Sequence, residues 1–276
     1  MTPEEYLKSG DIDSALSSLK EQIRSNPAEV KYRIFLFQLL ALLGEWDSAL
    51  TQLNVAGDLD DGALAMMHMY RDVITCEVFR EQVFKGEKEP IFLGKPETWG
   101  ALWVQALKLH SSGQYEKAQA LKLEALETVR DISGTLDGEN FEWIADADSR
   151  LGPVFEVILE GRYLWTPYSN IQSIVIEPPE DLRDLIWLPA HFRWQNGGES
   201  YGLIPSRYPE SYRYDDPQIT LSRKTEWDKF EPDTWQGKGP RVLMTDNNDY
   251  SLIDIRNIEL QKLAEAGDEE EAHAEG

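Results

Sequence analysis

The stretch with the greatest potential for chemistry is "DADSRLGP", residues 146–153. Asp146 and Asp148 alternate as the acids of calcium loops do, and their carboxylate oxygens could hold a hard cation. A calcium loop also needs a further acid or amide, a glycine and a distal glutamate, whereas Arg150 and Leu151 follow here. An arginine beside two acids more often forms a bidentate hydrogen-bond cluster that fixes a turn. The pattern therefore favours a structural joint, with a partner-binding surface and a metal or catalytic site as alternatives.

Other signatures of catalysis are missing from the sequence. No Walker-type glycine-rich loop, HExxH pair or GxSxG elbow occurs. The histidines have no metal-ligand spacing: His68, His110, His191 and His273. We therefore expect neither an enzyme nor a cofactor or metal. The rival hypothesis is a hydrolase or metal-dependent enzyme centred on Asp146, Asp148 and His191.

The charge of the chain limits its partners and its compartment. A net charge of −23 leaves no basic stripe for phosphates, and an anionic membrane surface would repel the chain. The longest strongly apolar run, residues 34–43, is about half of the roughly 20 residues that a membrane span needs. The acidic N-terminus does not resemble a signal peptide, and the single Cys76 suits a reducing compartment. These features predict a cytoplasmic protein that binds neither nucleic acid nor membrane.

The first half of the chain has a repeating helical pattern. The motif Gly-x-(Ile, Trp or Tyr)-x-x-Ala begins at Gly10, Gly44 and Gly113. The first two glycines are 34 residues apart, the period of tetratricopeptide repeats, and the third follows after roughly two periods. In such repeats the glycine ends the first helix, and the alanine lets the second pack closely. We predict a tetratricopeptide-like domain of about seven helices over residues 1–134.

A different pattern follows residue 134. Short β-prone runs alternate with glycine and proline, and Asn196-Gly197 is a strong hairpin signal. No helical stretch of ten residues intervenes, so a small antiparallel barrel or sandwich is favoured over a parallel sheet. The predicted class is α+β, with a mostly β domain over residues 135–264. The acidic residues 265–276 are predicted to be a disordered tail.

Residues 141–190 closely resemble the signature block of the ImpE/TagJ family, which comprises accessory proteins of bacterial type VI secretion systems. The matching pieces are Trp143, Asp146-Ala-Asp148, Arg150-Leu-Gly-Pro153, Glu156, Gly161-x-Tyr163-x-Trp165, Pro178-Pro179 and Leu182-Arg-Asp184-x-x-Trp187. The segment "IPSRYPES", residues 204–211, is similar to the proline-tyrosine segment of the family. With the helical N-terminal half, the resemblance covers nearly the whole chain except the acidic tail.

The resemblance implies a non-enzymatic protein of the bacterial cytoplasm that binds the small subunit of the contractile sheath. Binding would use the N-terminal helical segment of that subunit and would modulate sheath assembly or recycling, with the sheath-recycling unfoldase involved indirectly. A groove between stacked helices suits an amphipathic helix, and an acidic protein favours a partner segment with lysine or arginine. The alternative is a general peptide-binding adaptor with the same helices and a different client.

The signature supplies the candidate site residues. We expect Asp146, Asp148 and Arg150 to lock the junction between the two halves, and Gly152-Pro153 to turn the chain into the first strand. The full set of junction candidates is Trp143, Asp146, Asp148, Arg150, Gly152, Pro153 and Asp184. Tyr163, Trp165 and Trp187 are candidates for partner contact, although core packing predicts the same residue types.

Overall fold

The computed structural model describes residues 1–94 and 97–262, so the predicted acidic tail, residues 265–276, lies outside the described residues. Within these ranges seven α-helices precede residue 134: α1 (Pro3–Ser9), α2 (Ile12–Ser25), α3 (Val30–Leu42), α4 (Trp46–Leu59), α5 (Leu64–Phe84), α6 (Thr98–Ser111) and α7 (Tyr115–Leu126). A further short helix, α8 (Pro217–Thr220), lies in the β-rich half. None of the helices so described is long and apolar enough to cross a bilayer.

The repeated glycine–alanine motif coincides with helix pairs. Gly10, Gly44 and Gly113 have positive φ angles of 85°, 72° and 76°, and each follows the first helix of a pair. Glycine adopts this left-handed conformation without the steric cost that a side chain brings. The alanines of the motif, Ala15, Ala49 and Ala118, are fully buried where the second helix packs. The helical organisation is confirmed, and the tetratricopeptide assignment stays a prediction.

The second half is built around one large sheet of mostly antiparallel strands. The described strands are β1 (Ile91–Phe92), β2 (Gly134–Leu136), β3 (Glu139–Phe141), β4 (Ile144–Asp146), β5 (Val154–Leu159), β6 (Arg162–Pro167), β7 (Ile171–Ile176), β8 (Trp187–Trp194), β9 (Glu199–Pro205), β10 (Glu226–Phe230), β11 (Thr234–Lys238), β12 (Val242–Thr245), β13 (Asp249–Ser251) and β14 (Asn257–Leu260). Nine of them form a sheet in the order β1-β6-β5-β9-β8-β7-β14-β2-β3, in which only the β1–β6 pair is parallel. The predicted α+β class is confirmed.

Two smaller sheets complete the β-rich half. Strands β10 and β11 form a hairpin, and β13, β12 and β4 form a three-stranded sheet. The large sheet ends at β1 and β3 and is open, so the barrel considered from the sequence is wrong for the described strands. The hairpin predicted at Asn196-Gly197 joins β8 to β9, with Gly197 at a φ of 84°.

Strand β5 shows how the layers pack, because all six of its residues are buried. Val154 and Ile158 belong to a hydrophobic cluster that also contains residues of α2 to α6. Phe155 and Val157 point to the opposite face and join a second cluster with Leu243 of the three-stranded sheet. The helices thus share a core with the sheet across residue 134. The boundaries of the proposed domains stay a prediction.

Candidate functional site

A buried group of charged side chains lies between α5 and the large sheet. The alternation of β5 turns Glu156, which is fully buried, toward α5. The Nε and Nη2 atoms of Arg80 donate to the two carboxylate oxygens of Glu156 over 2.6 and 2.9 Å. Arg241 Nη1 lies 3.2 Å from Glu156 Oε2, and the hydroxyl of Tyr163 donates to Oε1. Glu156 therefore contacts Arg80 of α5 and two side chains of the β-rich half, Arg241 and Tyr163, at the same time.

The three aromatic candidates for partner contact belong to the same buried region. Tyr163, Trp165 and Trp187 have 2%, 0% and 0% of their surface exposed. Trp165 Nε1 donates to the Tyr163 hydroxyl over 2.6 Å, and Trp187 Nε1 donates to Glu77 over 3.0 Å. Glu77 also accepts from Arg80 over 2.8 Å. The structure places these aromatic side chains in the core, where they contact other parts of this chain.

Asp146 lies on β4 and is 2% exposed. Its Oδ2 accepts from Nε of Arg241 over 2.9 Å, with Nη2 of the same guanidinium 2.8 Å away. Its Oδ1 accepts from the Tyr208 hydroxyl over 3.1 Å and from the backbone N–H of Asp148 over 2.9 Å. The partner of Asp146 is thus Arg241, and not the neighbouring Arg150.

Asp148 is fully buried and forms the bidentate pair that the sequence suggested. Arg150 donates through Nε over 2.9 Å and through Nη2 over 2.6 Å. The backbone N–H groups of Arg150 and Gly237 also donate to Asp148, each over 2.8 Å. Both aspartates have their oxygens engaged by internal donors. Within the described part of the chain, no group of three or more acids, histidines or cysteines is placed to hold a metal ion.

The turn after Asp148 packs against two helices. The guanidinium of Arg150 lies 5.0 Å from the ring centroid of Phe84 on α5, and its backbone carbonyl accepts from Trp103 Nε1 of α6 over 3.0 Å. Gly152 has a φ of +52°, and a Cβ there would lie 2.5 Å from the Trp103 ring. Strand β5 begins directly after Pro153. These contacts agree with a junction, and its role as a lock remains a prediction.

The remaining junction candidates, Trp143 and Asp184, lie in different parts of the structure. Trp143 is half-buried and lines a cavity between α7 and the turn together with Asp146, Gly152 and Pro153. Asp184 is 6% exposed and accepts from the backbone N–H groups of Glu180 and Asp181 over 2.9 and 2.8 Å. It thereby shapes the loop before β8. The structure therefore does not gather all the signature residues into one cluster.

A groove on the helix-facing side of the sheet combines acidic and exposed apolar side chains. It has a volume of about 660 Å³ and lies between α5 and strands β8 and β9. Its acids are Asp72, Glu160, Glu177, Glu180, Asp181 and Asp184. Tyr201 and Met69, which are 82% and 46% exposed, provide apolar surface there. We call this feature the acidic groove.

The acidic groove also contains His191, which the rival enzymatic hypothesis joined to the two aspartates. Its Nε2 lies 3.3 Å from Glu199, and its ring stacks on Tyr201 at 4.6 Å. Neither Asp146 nor Asp148 lines this groove. The structure thus does not assemble the three residues into one site.

Comparison with known proteins agrees with the signature. The profile described as "ImpE protein" matches residues 138–259. The type VI secretion system accessory component TagJ of Pseudomonas aeruginosa is 45% identical over 261 residues, which cover 95% of this chain and 92% of that protein. The chain belongs to the ImpE/TagJ family. The resemblance predicted from the sequence is confirmed.

A solved structure supports the fold of this ImpE/TagJ protein. A crystal structure of a protein from Vibrio parahaemolyticus superposes with a TM-score of 0.85 at 22% identity. The match covers 96% of this chain and 98% of that one. The helical half and the sheet are therefore combined in the same way in both proteins.

Eight of the buried charged residues of this ImpE/TagJ chain lie around the contact between α5 and the sheet. They are four acids and four arginines, namely Glu77, Asp146, Asp148, Glu156, Arg80, Arg150, Arg207 and Arg241. We call these eight residues the polar core network. Four of these residues, Glu77, Arg80, Arg207 and Arg241, were not predicted from the sequence. For Glu77 and Arg80 the available signal was their place on one face of α5, which Val73 and Phe84 continue at four-residue spacing.

The network shifts the pKa values of its carboxyl groups in opposite directions. Burial raises the pKa of Asp146 to about 6, although Arg241 partly opposes this. Burial also acts to raise the pKa of Asp148 and of Glu156. For Asp148 the charge and hydrogen bonds of Arg150 outweigh burial, so its pKa lies below the usual value. Arg80 and Arg241 have the same effect on the pKa of Glu156. Asp148 and Glu156 are thus held as carboxylates.

We expect His110 to make the stability of the protein depend on pH. Burial lowers its pKa to about 4, and the positive charges of Lys122 and Arg150 act in the same direction. His110 binds a proton near pH 6.5 in the unfolded chain, but only near pH 4 in the folded chain. Protons therefore favour the unfolded chain, and the free energy of unfolding falls as the pH decreases through this range. The loss from His110 between pH 7 and pH 5 should be about 2 kcal/mol. We therefore expect the free energy of unfolding of His110→Phe, measured with urea, to fall between pH 7 and pH 5 by about 2 kcal/mol less than that of the wild type. An identical dependence in the variant would contradict the assignment.

Proposed function

We propose that this chain is a non-enzymatic accessory component of a bacterial type VI secretion system that binds the small subunit of the contractile sheath in the cytoplasm. It would hold the N-terminal helical segment of that subunit and so modulate sheath assembly or recycling, with the unfoldase involved only indirectly. The accessory role is supported by the 45% identical relative, whose name is that of a type VI accessory component. Binding without catalysis agrees with aspartates that are engaged by internal donors.

The acidic groove is the observation that carries the binding proposal. An amphipathic helix needs an apolar strip for its anchors, and Tyr201 and Met69 offer one. The surrounding carboxylates, among them Glu177 and Glu180, favour lysine and arginine on the flanks of that helix. The two basic side chains of the groove are already engaged, because Arg183 pairs with Asp181 and His191 lies next to Glu199. The negative charge of the groove is therefore left to attract a basic partner segment.

The groove requires both halves of the chain. Met69 and Asp72 come from α5, whereas Glu177, His191 and Tyr201 come from the sheet and the loop before β8. The helices also share their core with the sheet, so the full chain is the appropriate reagent. We expect calorimetric titration of the full chain with the N-terminal peptide of the small sheath subunit from the same gene cluster to show saturable binding. Binding should weaken as salt is added, because exposed charges are screened.

Reversing the charge of the groove should weaken binding of the same peptide. We expect the double variant Glu177→Lys/Glu180→Lys to raise the Kd about tenfold or more, since each change replaces an attraction with a repulsion. The matched control is Glu116→Lys/Glu124→Lys, which changes the net charge equally on exposed positions of α7 outside the groove. The control should change the Kd less than twofold when measured by the same titration.

Two results would contradict these proposals in different ways. If the soluble peptide does not bind the full chain, the sheath proposal fails, and a general peptide-binding adaptor becomes the better description. If the peptide binds but both double variants weaken it equally, the partner proposal survives and the acidic groove is not its site.

A further inference from the structure

A second cavity lies between the α6–α7 helix pair and the turn that precedes β5. Its volume is about 480 Å³, within the range of small-molecule sites, which is about 300–1,000 Å³. It shares no lining residue with the acidic groove. Its walls are mainly aromatic and aliphatic, and include Trp99, Trp103, Leu126, Trp143, Ile144 and Tyr168. The size and the lining suit an apolar group, for example an aromatic ring.

Two polar side chains in the lining of this cavity are buried without a hydrogen-bond partner among residues 1–94 and 97–262. Lys122 is 4% exposed and Tyr168 is 3% exposed, and the Lys122 Nζ and Tyr168 Oη atoms are both unpaired. Lys122 Nζ lies 5.9 Å from the ring centroid of Trp103, a cation–π contact that gives its N–H groups no oxygen acceptor. Burial lowers the pKa of Lys122 to about 8, although Asp148 favours the charged form. An unpaired ammonium in an apolar wall is costly, and a ligand with acceptor oxygens would remove that cost.

The charges at the cavity limit what such a ligand can carry. Besides Lys122, the lining includes a further cation, Arg130, and the acids Glu97, Asp131, Asp146 and Asp233. A dianionic phosphate would be repelled by these acidic side chains about twice as strongly as a ligand with a single carboxylate. A single negative charge is sufficient to pair with one lysine. The lining therefore favours a monoanion with an apolar body.

We propose that this cavity binds an apolar, preferably aromatic, carboxylate, with its ring among the tryptophans and its carboxylate paired with Lys122. The proposal requires Lys122 to turn its ammonium into the cavity that its side chain lines. The same chemistry is offered by a small free acid and by the C-terminal carboxylate of a peptide. This site is independent of the acidic groove and of the sheath proposal.

The test compares carboxylates with their neutral amides on the full chain. The probes are indole-3-propionate and the tripeptide Gly-Gly-Trp with a free C-terminus, each titrated beside its amide by ligand-detected NMR. A charge-assisted hydrogen bond in a buried site should make at least one carboxylate bind about tenfold tighter than its amide. A preference limited to the propionate identifies a small-molecule site, and one limited to the tripeptide identifies a chain-terminus site. If neither carboxylate binds saturably at millimolar concentration, or if the amides bind equally well, the proposal is wrong.

Substitutions in α7 assign the binding to this cavity. In Lys122→Met the preference for the carboxylate should disappear, while the melting temperature of the unliganded protein should rise because a buried unpaired ammonium is removed. A preference that persists in Lys122→Met would overturn the proposal.

A pair of exposed leucines provides a test that does not alter the buried lysine. Leu126, 47% exposed, lines the cavity, whereas Leu123, 55% exposed, lies on the same helix outside it. Leu126→Glu should weaken the carboxylate about tenfold by repulsion and loss of apolar contact, and Leu123→Glu should change it less than twofold. Equal effects of the two variants would show that the cavity is not the site.

Discussion

Replacing Glu156 with glutamine is expected to lower the free energy of unfolding by about 3–5 kcal/mol. The reason is that one fully buried carboxylate is paired with two buried arginines, Arg80 at 2.6 Å and Arg241 at 3.2 Å. Glutamine has nearly the same volume as glutamate but no negative charge. Arg80 and Arg241 would each lose one carboxylate partner, and water cannot reach these buried guanidinium groups to compensate for the loss. Urea unfolding at pH 7, with intrinsic tryptophan fluorescence, measures this loss directly.

The control for this substitution is Glu160→Gln, four residues further along the chain. Glu160 carries the same carboxylate, but its side chain is 86% exposed and its partner, Arg162, is 3.5 Å away in solvent. Exposed pairs contribute about 0–1 kcal/mol, so this variant should be close to the wild type. A loss at Glu156 no greater than the loss at Glu160 would mean that the buried pairs are replaced by other contacts, and the network would then have no special role in stability.

The expected effect follows from the position of the network between two layers. Arg80 belongs to α5, Glu156 to β5, and Arg241 lies just before β12. A buried charge is tolerated only where its partner arrives in the correct geometry, so a helix layer that is shifted on the sheet would leave several charges unpaired. The network therefore opposes alternative packings of the helices on the sheet, whereas apolar contacts alone tolerate small shifts.

Much of the fold follows from local features of the sequence. The positive φ that ends a helix at Gly10, Gly44 and Gly113 needs glycine, and the hairpin at Asn196-Gly197 needs residues that tolerate the same region. The pair of Asp148 and Arg150 is local as well, since the two residues are separated by one position. Features that depend on a few neighbouring residues can thus be predicted from one sequence.

The long-range partners could not be found in this way. Arg241 is 95 positions from Asp146, and Arg80 is 76 positions from Glu156. Strand alternation shows that Glu156 shares a face with its second neighbours, but it does not show which element covers that face. The same limit applies to the aromatic candidates, because an indole such as Trp165 suits a core and a binding surface equally well. Only the three-dimensional arrangement shows that it is fully buried.

Replacing Arg150 with alanine tests whether the signature turn locks the two halves together. Asp148 is fully buried and would keep only its backbone donors, so we expect the free energy of unfolding at pH 7 to fall by about 3–5 kcal/mol. The Trp103 bond to the carbonyl of residue 150 does not depend on the side chain, whereas the contact with Phe84 would be lost. Thermal and urea unfolding measure the loss, with Arg162→Ala, whose side chain is 62% exposed, as the control.

The pH dependence of the Arg150→Ala variant separates a buried charge from simple loss of packing. In the wild type, Arg150 outweighs burial and holds the pKa of Asp148 below its usual value, so Asp148 stabilises the fold at neutral pH and this stabilisation is lost in acid. Without Arg150, burial dominates and the pKa of Asp148 rises above the unfolded value. At pH 7 the variant must bury Asp148 either as an unpaired carboxylate or with a proton taken up from solution, and both lower its free energy of unfolding. At pH 4 this cost is small, so the destabilisation relative to the wild type should be larger at pH 7 than at pH 4. A destabilisation that is equal at both pH values would indicate lost packing alone. An unchanged melting temperature combined with lost binding of the sheath peptide would contradict the junction and assign Arg150 to a partner surface.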